Sequence, residues 1–591
     1  MKTIKIGCAS GFWGDSNMST PQLLASGELD YLVFDYLAEI TMSIMARQRA
    51  KNADYGYAHD FVSKVMRDAL PDIAAQGVKV ISNAGGVNPQ SCGRAIEKLL
   101  EQLGLNLSVA VVTGDDLMER IEQLRAEGVT EMFSGLPMPT ECMSMNAYLG
   151  AFPIASALDR GADIVLTGRG VDSAVTLGAG IHEFGWQPTD YDQLAGGSLA
   201  GHIIECGAQA TGGLFTDWEL ADDWANIGYP IVEVSDDGGF VVGKPEGTGG
   251  IVCPGSVAEQ MLYEIGDPQA YLLPDVVCDF SDVKITQVAD QRVEVSGVKG
   301  SQPTDTLKVS ATYFDGFRLV CGVTIRGIDA AGKARKTVES VLARARRMLT
   351  EQGLSDFTEV QMDFIGAESE YGPHARVRDA REVWGRLGAK HPDQDALKLL
   401  LREMTSTGTS MSPGTTGGGG GRAKPSPVVR LFSFLVDKKT IAPTVHFEGD
   451  RWELPFTVGQ AFDPTSIQRH QVEQPASVGE SVEVPLITIA HGRSGDKGNN
   501  ANIGIIARKP EFYPIVREQL TTAVVTDYFA HLLEGVVERY DLPGIQAVNF
   551  VLHEVLGGGG IASLRADPQG KAYAQLLLDI PVRVPPSLLE T

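Results

Sequence analysis

Several things are scarce in this sequence, and each absence narrows the function. No run of about 18 uncharged apolar residues occurs, so no membrane-spanning helix is expected. Cysteine is sparse and unpaired in pattern: Cys8, Cys92, Cys142, Cys206, Cys253, Cys278 and Cys321 form no CxxC pair and are odd in number. That excludes a zinc ribbon or disulfide framework and fits reduced thiols. Basic residues are outnumbered, 50 Lys and Arg against 75 Asp and Glu, for a net charge of -25. A duplex nucleic-acid binder needs a basic face, so nucleic acid is excluded as partner. Cofactor signatures are missing too. The glycines at 7, 11 and 14 do not make the spacing of a dinucleotide loop, and no Gly-Lys-Ser/Thr phosphate loop appears. The opening "MKTIKIGCASGFWGDS" is broken by Gly, Ser and Asp, which reads as a first strand rather than a signal peptide, so a cytoplasmic protein is expected.

What is present is a chain of 591 residues, 43% hydrophobic and 21% charged, long enough for about three to five domain-sized units. Up to about residue 185, short apolar strands alternate with amphipathic helices. The expected strands are 4–8, 31–34, 78–82, 107–112 and 163–167. This alternation predicts an α/β fold, a mainly parallel sheet with helices on both faces, spanning 1–279. An α+β region follows over 280–462, including a Gly/Pro/Ser-rich stretch at 405–427 read as a mobile loop. A linker at 463–483 precedes a small C-terminal α+β domain, 484–591.

The chemistry concentrates in glycine-rich loops at strand ends, where ligands of open α/β sheets lie. "GCASGFWGDS" offers Asp15, and "SNAGGVNP" offers Asn83 with the amides of Gly85 and Gly86 before a helix that Pro89 opens. In "TGRGVDSA", Arg169 and Gly170 stand before Asp172 and Ser173, an arrangement suited to a bidentate grip on a carboxylate. "GHIIECGAQATGG" sets His202, Glu205 and Cys206 at helical spacing ahead of Thr211, Gly212 and Gly213. Glu205 with His202 is the expected acid/base pair, Asp172 a second carboxylate and Cys206 a candidate nucleophile. "EGTGG" adds Thr248, Gly249 and Gly250. Finally "HGRSGDKGNNANIG" brings Arg493, Ser494, Asp496, Lys497 and Asn502 into what reads as a hairpin loop, poised to complete an anion site or an interface against the N-terminal region. No metal site is expected.

Taken together, "GFWGDS", "YLVFDYLAEITM", "SNAGGVNP", "TGRGVDSA", "ATGG", "EGTGG" and "HGRSGDKGNNANIG" resemble the acyclic terpene utilisation family of AtuA type over essentially the whole chain. The resemblance implies a C-terminal ferredoxin-like domain and a part in the breakdown of citronellol- and geraniol-type terpenoids through acyl-CoA thioesters. It implies no catalytic residues. Combined with the anion-binding loops, it leads to a lyase, either a hydro-lyase or a carbon-carbon lyase, acting on a branched acyl-CoA. No cofactor is expected beyond the CoA of the substrate, and a homo-oligomer is expected. The alternative is a non-catalytic acyl-CoA-binding or assembly subunit of the same pathway.

Overall fold

The central strands are apolar along their whole length, "YLVF", "KVIS" and "IVLT", and this is why they sit in the middle of a sheet covered on both sides. A computed structural model describes residues 2–417, 423–470 and 480–589. In it, Thr3–Cys8, Tyr31–Phe34, Lys79–Ser82, Ile164–Thr167 and Val109–Thr113 lie side by side in that spatial order, all parallel. Alternate side chains enter different cores: Leu32 and Phe34 pack with residues of helices Ser19–Ala25, Arg67–Gln76 and Pro89–Leu103, while Tyr31 and Val33 join residues of Phe152–Asp159, Ala174–Phe184 and Tyr191–Ile204. Helix Pro89–Leu103 starts on a proline after the Asn88 cap and stops at Gly104, whose φ of 66° is easy only for glycine.

The sheet is mixed rather than mainly parallel. Antiparallel strands extend it on both edges, Ile231–Ser235, Phe240–Gly243, Arg292–Ser296 and Lys284–Ala289 on one side, Thr444–Phe447 and Asp450–Glu453 on the other. A boundary at 279 therefore has no counterpart in the sheet: strands from beyond it complete the first unit. Period-two sequences such as "RVEVS" pair with whatever edge is free, and sequence alone does not name the edge.

The 21-residue strand Thr306–Arg326 links two units. Its first half pairs with Ser426–Asp437 and Ser144–Ala147 and contributes Leu307, Val309 and Ala311 to the first core. After a register shift between Phe314 and Phe317, its second half pairs with Glu382–His391 and packs under helices Ala330–Glu351 and Gln394–Thr405. Within the stretch expected to be a mobile loop, Thr407–Ser410 is helical and Thr415–Thr416 pairs with the long strand; 418–422 lies outside the described residues. The linker's 471–479 also lies outside them.

The C-terminal domain is a four-stranded antiparallel sheet, ordered Ala490–Lys497, Asn500–Ala507, Ala547–Leu552, Val537–Leu542. One face carries its own core, with Ile503, Ile505, Val548 and Phe550. "YAQLL", which reads as part of a strand, is a helix, Tyr573–Leu577, and the strand is Pro581–Val584 alone. No helix among the described residues is long and apolar enough to cross a membrane.

Candidate functional site

Three parallel strands deliver polar residues at their carboxyl ends. Arg169 follows Ile164–Thr167 and is only 4% exposed. Its Nη1 donates to the Leu37 carbonyl at 3.0 Å and to Asp172 Oδ1 at 2.6 Å, and the guanidinium lies 4.3 Å from the centre of the Tyr148 ring. Its backbone N–H donates to Asp115, which burial pushes up to about 6. Gly168 is required before it, because a Cβ there would stand 2.5 Å from Asp115 Oδ1. Among the described residues, Nε and Nη2 of Arg169 have no hydrogen-bond partner. A buried guanidinium with an unused edge is a carboxylate receptor.

Asp35 follows Tyr31–Phe34 and turns to the same end of the sheet. Its Oδ1 accepts from Asn83 Nδ2 at 2.5 Å. Burial, reinforced by Asp172 and Glu205, holds its carboxyl well above the usual carboxylate range in spite of Asn83 and Arg169. Burial thus favours the neutral form of Asp35. Across from it, Glu205 Oε1 lies 3.1 Å from His202 Nδ1, and His202 Nε2 lies 3.2 Å from the Met261 carbonyl. That carbonyl can only accept, so Nε2 carries a hydrogen and the Glu205 contact shares one further proton. Burial raises Glu205, offset in part by His202.

The third contribution comes from the C-terminal domain. The stretch "AHGRSGDK" is a strand, not a hairpin loop; the turn falls after it, at Gly498 with φ of 65°. Period two places Arg493, Gly495 and Lys497 on one face, and that face meets the N-terminal region. Gly495 is needed because a Cβ would lie 2.6 Å from Glu264 Cγ; Gly504 likewise makes room for Leu262. Asn502 and Asn549 clamp the same face, donating to the carbonyls of Leu262 and of Ile265 and Gly266. Lys497 is exposed to solvent yet ringed by protein, so it hangs in a cleft rather than on the outer surface. Burial disfavours its charge, but Tyr271, Glu264, Asp172 and Glu39 around it hold the ammonium well above its ordinary range. Its Nζ has no hydrogen-bond partner among the described residues.

Residues that sequence reasoning passed over complete the ring. Glu39 accepts from the Tyr148 hydroxyl at 2.5 Å; against the upward push of burial, Lys308, Arg169 and Tyr148 bring it down to about 2. Lys571 bridges Glu264 at 3.0 Å and Asp496 at 2.9 Å. An Asp directly behind an apolar strand, as in "YLVFD", was the signal for Asp35; Glu39, Tyr148 and Lys308 carry none.

The other expected site residues have structural work. Arg493, 5% exposed, donates to Leu214 O at 3.0 Å and to Gln209 Oε1, tying the domains together rather than facing the cleft. Ser494 accepts from Ala574 N at 2.9 Å, inside its own domain. Asp15 closes its loop by accepting from Gly11 N and Ser16 N and from Tyr229 OH. Gly85 packs on the Thr167 carbonyl, and the Gly86 amide is spent on Asn83 O. Gly170 bridges Leu149, and Ser173 contacts Gly201, locking two helices. Thr211 is fully buried and donates to Ala208 O and Gly228 O; Gly212, with φ of 102°, and Gly213 shape that turn. Thr248 lines a separate groove with Lys5, Glu28 and Arg292, and the Gly249 and Gly250 amides bond Asn226 and Asp222. The expected helical face from His202 onward ends at Ile204; Cys206 precedes a 3-10 turn. Burial above all pushes the Cys206 thiol well above its ordinary range, which opposes a nucleophilic role. Among the described residues no group of three or more His, Cys, Asp or Glu is placed to hold a metal ion.

The family described as acyclic terpene utilisation family protein AtuA is matched over residues 4–447. The chain belongs to that family. Its C-terminal part, residues 484–583, matches the AtuA ferredoxin-like domain. Family membership places the protein in acyclic terpene utilisation. No curated protein and no solved structure matches the chain.

Proposed function

We propose that this member of the family is an acid-base lyase of acyclic terpenoid breakdown, a hydro-lyase or carbon-carbon lyase acting on a branched acyl-CoA thioester. What supports the reading is the convergence of two cations with two carboxyls that burial raises: Arg169 and Lys497 stand near Asp35 and Glu205. Arg169 and Lys497 hold the negative groups of the substrate. In the hydro-lyase form, water adds across the double bond conjugated to the thioester. Asp172 takes a proton from water as its oxygen bonds to the β-carbon; Glu205 gives its proton to the α-carbon, so one C=C becomes one C–O and one C–H bond. Asp35, held neutral, donates a hydrogen bond to the developing enolate oxygen. Exchange with solvent resets the two carboxyls, and elimination is the reverse.

The test is turnover of the CoA thioesters of citronellol- and geraniol-derived acids by the pure protein. Conversion by the wild type is expected to be lost in Glu205→Gln and reduced about 30- to 5000-fold in kcat/KM in Arg169→Ala, from the loss of a buried charge contact of about 2–5 kcal/mol. Binding of these thioesters without turnover would replace the enzyme with an acyl-CoA-binding subunit. Absence of both would remove the acyl-CoA altogether.

A further inference from the structure

Among the described residues, two groups of exposed apolar side chains stand out. One is built by Leu214, Trp218, Leu220 and Trp224 and is studded with Glu219, Asp222 and Asp223. The other lies along the strand Ser426–Asp437. On that strand Leu431 and Leu435 flank Ser433, and cross-strand pairing to Thr312 and Lys308 puts them on the same face as Phe314. Ser433 O accepts the Met132 amide at 2.8 Å, which seats the turn 130–137 on the outer edge of the strand and brings up Phe133 and Leu136. Phe133 is 68% exposed, Leu136 59%, Phe314 50% and Leu435 49%.

The geometry points to this second patch as the contact between two copies of the chain. Three observations converge. First, the five side chains leave roughly 500 Å² of apolar surface, at the upper end of what a lone monomer carries. A stable two-fold contact covers about 800 Å² per partner, about 60% of it apolar, so the patch supplies the amount required. Second, Ser426–Asp437 is a 12-residue edge strand. Its inner side pairs with Thr306–Arg326, and among the described residues the Met132 amide is the one main-chain donor seated on its outer edge. Long edges with apolar faces are the ones other chains pair with. Third, charge selects between the patches. At a net charge of -25, a self-contact must avoid stacking acids. Here the charges are already spent: Arg430 pairs with Asp315, and the Glu131 carboxylate accepts the amides of Phe133 and Ser134 in its own turn. The tryptophan patch would oppose its three acids to themselves across a two-fold axis.

The contact reaches the cleft. Lys308, opposite Leu435 in register, stands 5.2 Å from the Tyr148 ring centre and acts on Glu39. A second copy seated on Leu435 therefore walls the Glu39 flank of the site.

The mass of the wild-type protein at tens of micromolar, by light scattering on a sizing column, is expected to be that of a dimer or an even multiple. Leu435→Glu and Phe133→Glu should each halve it, with unchanged far-ultraviolet circular dichroism. Should either variant misfold, hydrogen exchange of the wild type decides: amides of 130–137 and 428–437 should lose at least tenfold of their protection on dilution. A monomeric wild type overturns the inference. So does an oligomer that both variants leave intact while Trp218→Glu breaks it, or exchange in these segments that is independent of concentration.

Discussion

Glu259 is 1% exposed and accepts the Thr216 amide through both carboxylate oxygens, yet burial pushes it up to about 7. The unfolded chain ionises this residue near 4.5, so between about 4.5 and 7 the folded form keeps a proton the unfolded form has lost. Stability is complete below that window and falls as pH rises through it, by up to about 3 kcal/mol. Glu259→Gln should flatten this part of the profile of melting temperature against pH and raise the melting temperature at pH 8; an unchanged slope would contradict it. At the same scale, activity should decline at high pH as Asp35 and Glu205 lose their protons; a kcat/KM that stays level into the alkaline range would contradict it. Arg169, Asp172, His202, Glu205 and Lys497, candidates already in the sequence, come near one another in the fold. Between the two roles open to Arg493, anion site or interface, sequence could not choose, because a guanidinium satisfied by two neutral oxygens looks, in sequence, identical to one awaiting an anion; its partners lie across the domain interface.

Among elements, the strand Ala490–Lys497 departs most from local expectation. Glycine weakens a strand, and "HGRSGDKG" reads as a loop. The tertiary reason is close approach: Gly495 and Gly504 leave space for the end of helix Pro254–Leu262. Gly504→Val should therefore cost more than about 1–3 kcal/mol, the usual price of overpacking, because Leu262 is fully buried and has nowhere to move. Calorimetry should show the C-terminal domain melting separately in this variant; a single transition at the wild-type temperature would refute the packing argument. The parallel strands, by contrast, were legible almost to the residue, since an apolar run bounded by glycine loops admits few other readings. The antiparallel wings were not, because their partners come from far along the chain.

On the scale of the molecule, the ferredoxin-like domain is fastened by an ion network as well as by packing. Arg508 grips both oxygens of Asp217, at 2.5 and 2.6 Å, with His491 at 2.9 Å from the same carboxylate. Because both partners are partly exposed, Arg508→Ala should cost only about 1–2 kcal/mol. Its larger effect should be on ligand affinity, since Lys497 is placed by the same docking; titration of the variant with the acyl-CoA thioesters should show weaker binding at nearly unchanged melting temperature. Equal affinity would mean that Lys497 is positioned by its own domain alone.

The position of Lys497 also has a consequence for the newly made chain. The Arg169 half of the cleft leaves the ribosome early, and the lysine that completes it emerges near the end of synthesis. A nascent or truncated chain therefore exposes half a receptor, with Arg169 in place but without the second cation, Lys497, of the finished protein. Competence arrives in one step, when the last hundred or so residues fold back onto the first sheet.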